Sequence, residues 1–256
     1  MDGQLKLATR CLISDISDKI GLDIEIVAYR GGYPARTGIG AYVENPDTST
    51  ISISYREEDA SRDYAVAHEI ARIDRFFSAS TSERRVMSSS PATRSIGYEQ
   101  MLREAADVGS GNESHELVSQ LYDGLLTQLL SQPADPWINV WLLENCSALR
   151  DDIDTVFTEE IRYAQEGLSE QLRSVLPAIA YSASHAMNAA TAKFAAEFLG
   201  RKALSLPYDE SDFSELGSLL SGLNSTDRGH VGDCETSDAW AKALGLAGWY
   251  EWKSLR

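Results

Sequence analysis

Cysteine is scarce in this 256-residue chain: Cys11, Cys146 and Cys234 are odd in number, far apart and without any Cys-x-x-Cys pairing. That excludes a disulfide framework and a cysteine-built zinc site, and buried free thiols are expected. Long apolar runs are missing too. No stretch approaches the roughly 18 residues that would cross a bilayer, so no membrane association is expected. The first residues, MDGQLKLATRCLISDISDKIGLD, are acidic early and amphipathic rather than continuously apolar. They do not read as a signal peptide, and a cytoplasmic location is the expectation. Positive charge is in deficit: 23 Lys and Arg against 39 Asp and Glu leave a net charge of -16. Duplex binding needs a basic footprint, so nucleic acid is excluded as a partner of the chain by itself; the acidity favours basic partners. Gly-x-Gly-x-x-Gly, the P-loop and the Gly-x-Ser-x-Gly elbow are all absent, and GGYPARTGIG has glycines but neither a phosphate-binding lysine nor a following helix. No cysteine has a recognisable catalytic context.

What remains is an ordinary globular composition, 43% hydrophobic and 24% charged, in a chain long enough to bury a core as one large domain or two modest ones. Leu5, Leu7, Leu12, Ile13, Ile16 and Ile20 recur at helical spacing, and Gly21 supplies a stop. Residues 24–29 read as a strand. A loop punctuated by Gly31, Gly32, Pro34, Gly38 and Gly40 follows, then a short strand at 41–44 and turn chemistry at Asn45-Pro46-Asp47. TISISY, residues 50–55, alternates and is β-branched, so it reads as a third strand. A helix is expected from Asp59 to Phe77, with Asp59 or Ser61 as N-cap and Glu57 and Glu58 at the positive end of its dipole.

Residues 81–97, in a Ser-, Thr- and Arg-rich stretch, read as a flexible loop. Helices are expected at about 98–107, 114–131, 136–148, 151–172 and 173–200, making residues 98–204 a helical region that continues the fold. Residues 205–256 read as an acidic segment and an aromatic tip containing Trp240, Trp249, Tyr250 and Trp252. The tip is expected to dock on the body; exposed, it would be a partner-binding element. Trp137 and Trp141, four apart, read as one helix face in the core.

Residues 64–72, Tyr-Ala-Val-Ala-His-Glu-Ile-Ala-Arg, carry the chemistry. In His-Glu-x-x-His, two histidines four apart share one helix face and reach a single Zn²⁺, while the glutamate acts as general base on the metal-bound water. Here His68 and Glu69 stand in the first two positions and Arg72 in the place of the second histidine. A guanidinium stays protonated and has no free lone pair, so Arg72 is not a zinc ligand. It could instead pair with Glu69 or with a carboxylate from a later helix, filling the metal position with a fixed positive charge. The pair recurs as His115-Glu116, so the dipeptide alone says little. The order of an edge strand, a short acidic connection and an apolar helix adds to it.

On that order, ISISYREEDASRDYAVAHEIARI resembles the corresponding stretch of the ImmA/IrrE family of zincin-like metallopeptidases, over about residues 1–80. The resemblance implies a small zincin-like sheet with an active-site-type helix; with the helices read after it, the expected fold class is α+β, that core followed by a large all-helical region. It implies His68 as first zinc ligand, Glu69 as catalytic glutamate and an acidic third ligand from a later helix, for which Glu104 is taken, with Glu99 close behind. Some family members inactivate repressor-type partners, so a protein or peptide partner is expected. Three functions follow: a metallopeptidase-like protein with a degenerate metal site, now a binding or regulatory module; an active zinc peptidase using a replacement ligand for Arg72; or a helical scaffold in which His-Glu is coincidence. Of the other histidines, His185 reads as a core or interface residue and His230 as a loop residue.

Overall fold

The computed structural model describes residues 5–30, 35–57, 59–106, 112–198 and 200–255. The fold is α+β and mostly helical, with one sheet of three strands and one of two among the described residues. Helix α1 (Leu7–Ile20) ends at Gly21, whose positive φ closes it through a backbone bond to Ser17. Strand β1 (Asp23–Tyr29) lies parallel to a strand later in the chain. Gly31, Gly32, Pro34 and Glu58 lie outside the described residues.

The short strand expected at 41–44 is a helix. Strand β2 (Ala35–Thr37) comes earlier, and α2 (Ile39–Glu44) follows it. The backbone N–H of Gly38 donates to Ser52 O, ending β2, and Tyr42 N–H then donates to Gly38 O to open the helix. Ile39, Tyr42 and Val43 are buried, at i, i+3 and i+4. Burial of a helical stripe overrides the β propensity of Tyr42 and Val43. Strand β3 (Thr50–Arg56) sits between β1, parallel, and β2, antiparallel. Its odd-numbered residues Ile51, Ile53 and Tyr55 point into the core, as alternation requires.

Helix α3 (Arg62–Ser78) runs beneath this sheet. Ser61 is its N-cap, while Asp59 Oδ1 accepts from both the N–H and the hydroxyl of Ser61. Val66, Ala67, Ile70 and Ile73 are fully buried. Asp63 points back to α1 and accepts from Lys6 N–H and from the Thr9 hydroxyl, satisfying the start of that helix. At its far end, the Arg84 guanidinium donates to Phe77 O and Ala79 O.

The stretch expected as a flexible loop is built of elements. A 3-10 turn spans Thr81–Glu83, β4 covers Arg85–Ser88, and α4 (Pro91–Ala106) begins before the expected 98. Strand β4 is stabilised by a partner that no local pattern announces: it pairs antiparallel with β5 (Glu251–Ser254), at the other end of the chain.

The remaining helices are α5 (Asn112–Ser131), α6 (Asp135–Asn145), α7 (Arg150–Glu166), α8 (Glu170–Val175), α9 (Ala178–Phe198), α10 (Leu206–Asp209), α11 (Ser214–Leu223) and α12 (Gly229–Leu244). The expected 173–200 helix is divided because Leu176, extended at ψ 148, precedes Pro177. Among the described residues, 205–255 hold three helices and β5, and with β4 this makes the region after residue 80 not all-helical. The core of the first 80 residues takes in later helices as well. Ile138 and Leu142 of α6, with Leu149 and Ile153, belong to the same core as α1, β3 and α3. A second core packs α4, α5, α9 and α12 around Trp240 and Trp249, the docked aromatic tip. Among the described residues, no helix is long and apolar enough to cross a membrane.

Candidate functional site

One face of α3 carries His68, Glu69, Arg72, Arg75 and Phe76, at the i, i+1, i+4, i+7, i+8 spacing of a helical stripe. Three elements bring partners to it. Asp135 stands in the first turn of α6, Thr37 ends the edge strand β2, and Glu160 lies on α7.

Arg72 is the centre of the cluster. Its Nη2 donates to Asp135 Oδ1 in a short charge-assisted bond, and its Nε lies 3.7 Å from Glu69 Oε1. His68 faces the same two carboxylates, with Nε2 3.5 Å from Asp135 Oδ1 and Nδ1 3.7 Å from Glu69 Oε1. The four side chains are 12% (His68), 14% (Glu69), 19% (Arg72) and 25% (Asp135) exposed, so water screens these contacts only in part. Burial pushes the Glu69 carboxyl upward, but the Arg72 guanidinium, the His68 ring and the Thr37 N–H more than offset it, leaving Glu69 below its ordinary range and ionised. Burial works against the Arg72 charge, and Asp135 and Glu69 outweigh it, raising its pKa. Glu160 behaves oppositely. Crowding by protein, then the Asp135 charge, push its carboxyl up to about 7. Solvent reaches this residue, which screens part of that effect. Tyr64, one turn before His68, donates its hydroxyl to Asn139 Oδ1 at 3.0 Å and closes the buried side.

These residues do not fit a divalent metal. The position between Glu69 and Asp135 is filled by a permanently charged guanidinium, bonded to the oxygen that His68 Nε2 faces. Among the described residues, no group of three or more His, Cys, Asp or Glu is arranged to hold a metal. Glu104 is engaged elsewhere: its Oε2 accepts the N–H of Ile179 at 2.9 Å, at the start of α9, which removes it as third ligand. Glu99 accepts from the Ser95 hydroxyl on its own helix. His115 of the second His-Glu pair stacks on Tyr98 and meets its hydroxyl through Nδ1 at 2.6 Å. His185 is buried on α9 against the rings of Tyr181 and Phe213.

Beside the cluster lies a cleft of about 450 Å³, walled by β2, α3, α5, β4 and α12. Glu69 and Arg72 line it; His68 does not. Arg75 braces its floor, with Nε and Nη2 on the Asp233 carboxylate at 2.5 and 2.7 Å and Nη1 and Nη2 on Asp227 at 3.1 and 2.6 Å. His230 is on α12 rather than in a loop. Its Nε2 meets Arg85 O at 3.0 Å, and its ring abuts Phe76 edge-on. Burial, with help from nearby arginines, lowers His230 to about 4, so it is neutral at pH 7. Burial also pushes the Cys234 thiol, 3.7 Å from His230 Nε2, up to about 11. A neutral thiol beside a neutral imidazole is not an activated nucleophile.

Compared with known proteins, the chain matches no family model, no curated protein and no solved structure.

The sequence singled out His68, Glu69 and Arg72, and these three do meet. It missed Asp135, Glu160 and Asp233, and it placed His230 in a loop rather than on α12. Asp135-Pro136 was legible as a helix start, but nothing local marks it as the partner of Arg72.

Proposed function

We propose that this chain is a zincin-metallopeptidase-like protein whose metal position has been taken over by a guanidinium, and that it serves as a binding or regulatory module for a protein or peptide partner. One observation carries the reading: Arg72, at the second-ligand position of the His-Glu-x-x-His pattern, reaches Asp135 Oδ1 and lies beside Glu69, the groups a metal would otherwise gather around. The antiparallel edge strand β2, which runs past Glu69 and donates to it from Thr37, supports the same ancestry.

A protein rebuilt in this way keeps its helix packing without metal and loses the activated water that hydrolysis needs. The test is bound zinc by elemental analysis, after zinc loading and dialysis, for the wild type and Arg72→His. The expected result is substoichiometric zinc in the wild type and a gain toward one equivalent in the variant. Stoichiometric zinc in the wild type, with a peptidase activity that Glu69→Gln abolishes, would overturn the reading in favour of an active enzyme. No gain in Arg72→His would favour a helical scaffold with a coincidental His-Glu pair, a reading helped by the absence of His68 from the cleft wall.

A further inference from the structure

The cleft between β2, α3, β4 and α12 gathers four arginines, Arg36, Arg72, Arg75 and Arg85, in a strongly acidic protein. The whole chain carries -16. Arg72 is committed to Asp135 and Glu69, Arg75 to Asp227 and Asp233, and Arg36 is engaged as well. Arg85 is different. Among the described residues, no carboxylate pairs with it. Its guanidinium lies over the Trp252 ring, 5.0 Å from the ring centre, its side chain also hydrogen-bonds the neutral Cys234 thiol, and its backbone is fixed by His230 and by the β4–β5 ladder. A half-buried guanidinium without a carboxylate partner keeps its planar fork of N–H donors for planar or tetrahedral oxyanions. Beside it, Phe76, Val86, Met87 and Leu130 supply an apolar wall. The volume falls in the range of small-molecule sites, roughly 300–1,000 Å³.

We propose that this cleft binds a small organic anion, an apolar body ending in one carboxylate or phosphate, with Arg85 as its anchor. The inference goes beyond the ancestry of the His68-Glu69 pair, because Arg85 is no part of that cluster. The site asks for charge at one end and apolar surface at the other, which a free inorganic anion does not supply.

The experiment is calorimetric titration of the 256-residue chain with four probes of one chain length: octanoate, octyl phosphate, octan-1-ol and octyltrimethylammonium. Binding of octanoate or octyl phosphate at one per chain is expected, with the alcohol and the cation at least about tenfold weaker, the scale of a lost charge-assisted hydrogen bond. The tighter of the two anions identifies the head group. Arg85→Gln is expected to weaken the anion about ten- to a hundredfold and leave the alcohol unchanged. Arg85→Lys, which keeps the charge but loses the fork, is expected to fall between the two and shows that the strand tolerates substitution. No anion binding at millimolar concentration, equal binding of octan-1-ol, or unchanged affinity in a folded Arg85→Gln would each overturn the proposal.

Discussion

Replacing Arg72 by methionine keeps most of the side-chain volume and removes the charge between Glu69 and Asp135. Breaking a fully buried ion pair by deleting one partner costs about 3–5 kcal/mol, whereas exposed pairs contribute about 1 kcal/mol or less. Glu69 and Asp135 are 14% and 25% exposed, nearer the buried limit, so the loss at neutral pH is expected at about 2–4 kcal/mol. For a chain of this size that lowers Tm by roughly 4–8 °C. The pH dependence is the sharper test. In the wild type the folded-state pKa of Glu69 lies below its ordinary 4.5, so its stabilisation is fully present above that value and is lost as pH falls through the folded pKa. In Arg72→Met the largest influence opposing burial is gone, so the Glu69 pKa is expected to rise from its wild-type position, with the His68 ring and the Thr37 N–H still opposing burial. That carboxylate then contributes less stability at neutral pH, and the difference closes as pH falls and Glu69 protonates in both proteins. The two proteins should differ most near pH 7.5 and least at about pH 3, below the ordinary carboxylate range. Urea denaturation followed by circular dichroism at both pH values measures this. A loss below about 0.5 kcal/mol at pH 7.5, within the usual range for an incidental surface change, would refute the central role of Arg72. So would a loss of the same size at both pH values.

Two further outcomes follow from packing. In Gly97→Ala, the added Cβ would stand 2.5 Å from Trp249 Cδ2 and 2.8 Å from Tyr122 Cε2, inside the stacked pair that seats the aromatic tip. Overpacking of this kind costs about 1–3 kcal/mol, and a denaturation midpoint equal to the wild type would show that α4 can move aside freely. In the native protein at pH 8, Cys11 is exposed while Cys146 and Cys234 are buried, and burial raises the thiol pKa of both, that of Cys234 to about 11. Mass spectrometry after brief iodoacetamide treatment should find Cys11 alkylated and the other two only after unfolding; prompt labelling of Cys234 would mean that α12 opens readily.

Local pattern determined much of this protein. The stripe of α1 with Gly21 behind it, the alternation of β3 and the apolar face of α3 are written at short range. Each depends on periodicity and on one or two stop residues, and the structure follows them closely. The pairing of a positive Arg72 with a carboxylate on a later helix was likewise open to reading, because spacing alone sets which residues share a helix face. Tertiary structure decided the rest. Residues 41–44 are helical because Ile39, Tyr42 and Val43 bury together, which outweighs their strand propensity. Residues 85–88 form a strand because Glu251–Ser254 arrives to pair with them, and no window of sequence spans that distance. Glu104 was placed at the site for its type and order, yet it caps α9, since a carboxylate serves whichever backbone N–H the packing brings to it. Asp135, Glu160 and Asp233 join the α3 cluster only once α6, α7 and α12 have docked. The charge that surrounds His68, Glu69 and Arg72, and the cleft that opens beside Arg85, are properties of helix packing, to which each segment contributes a single residue or two.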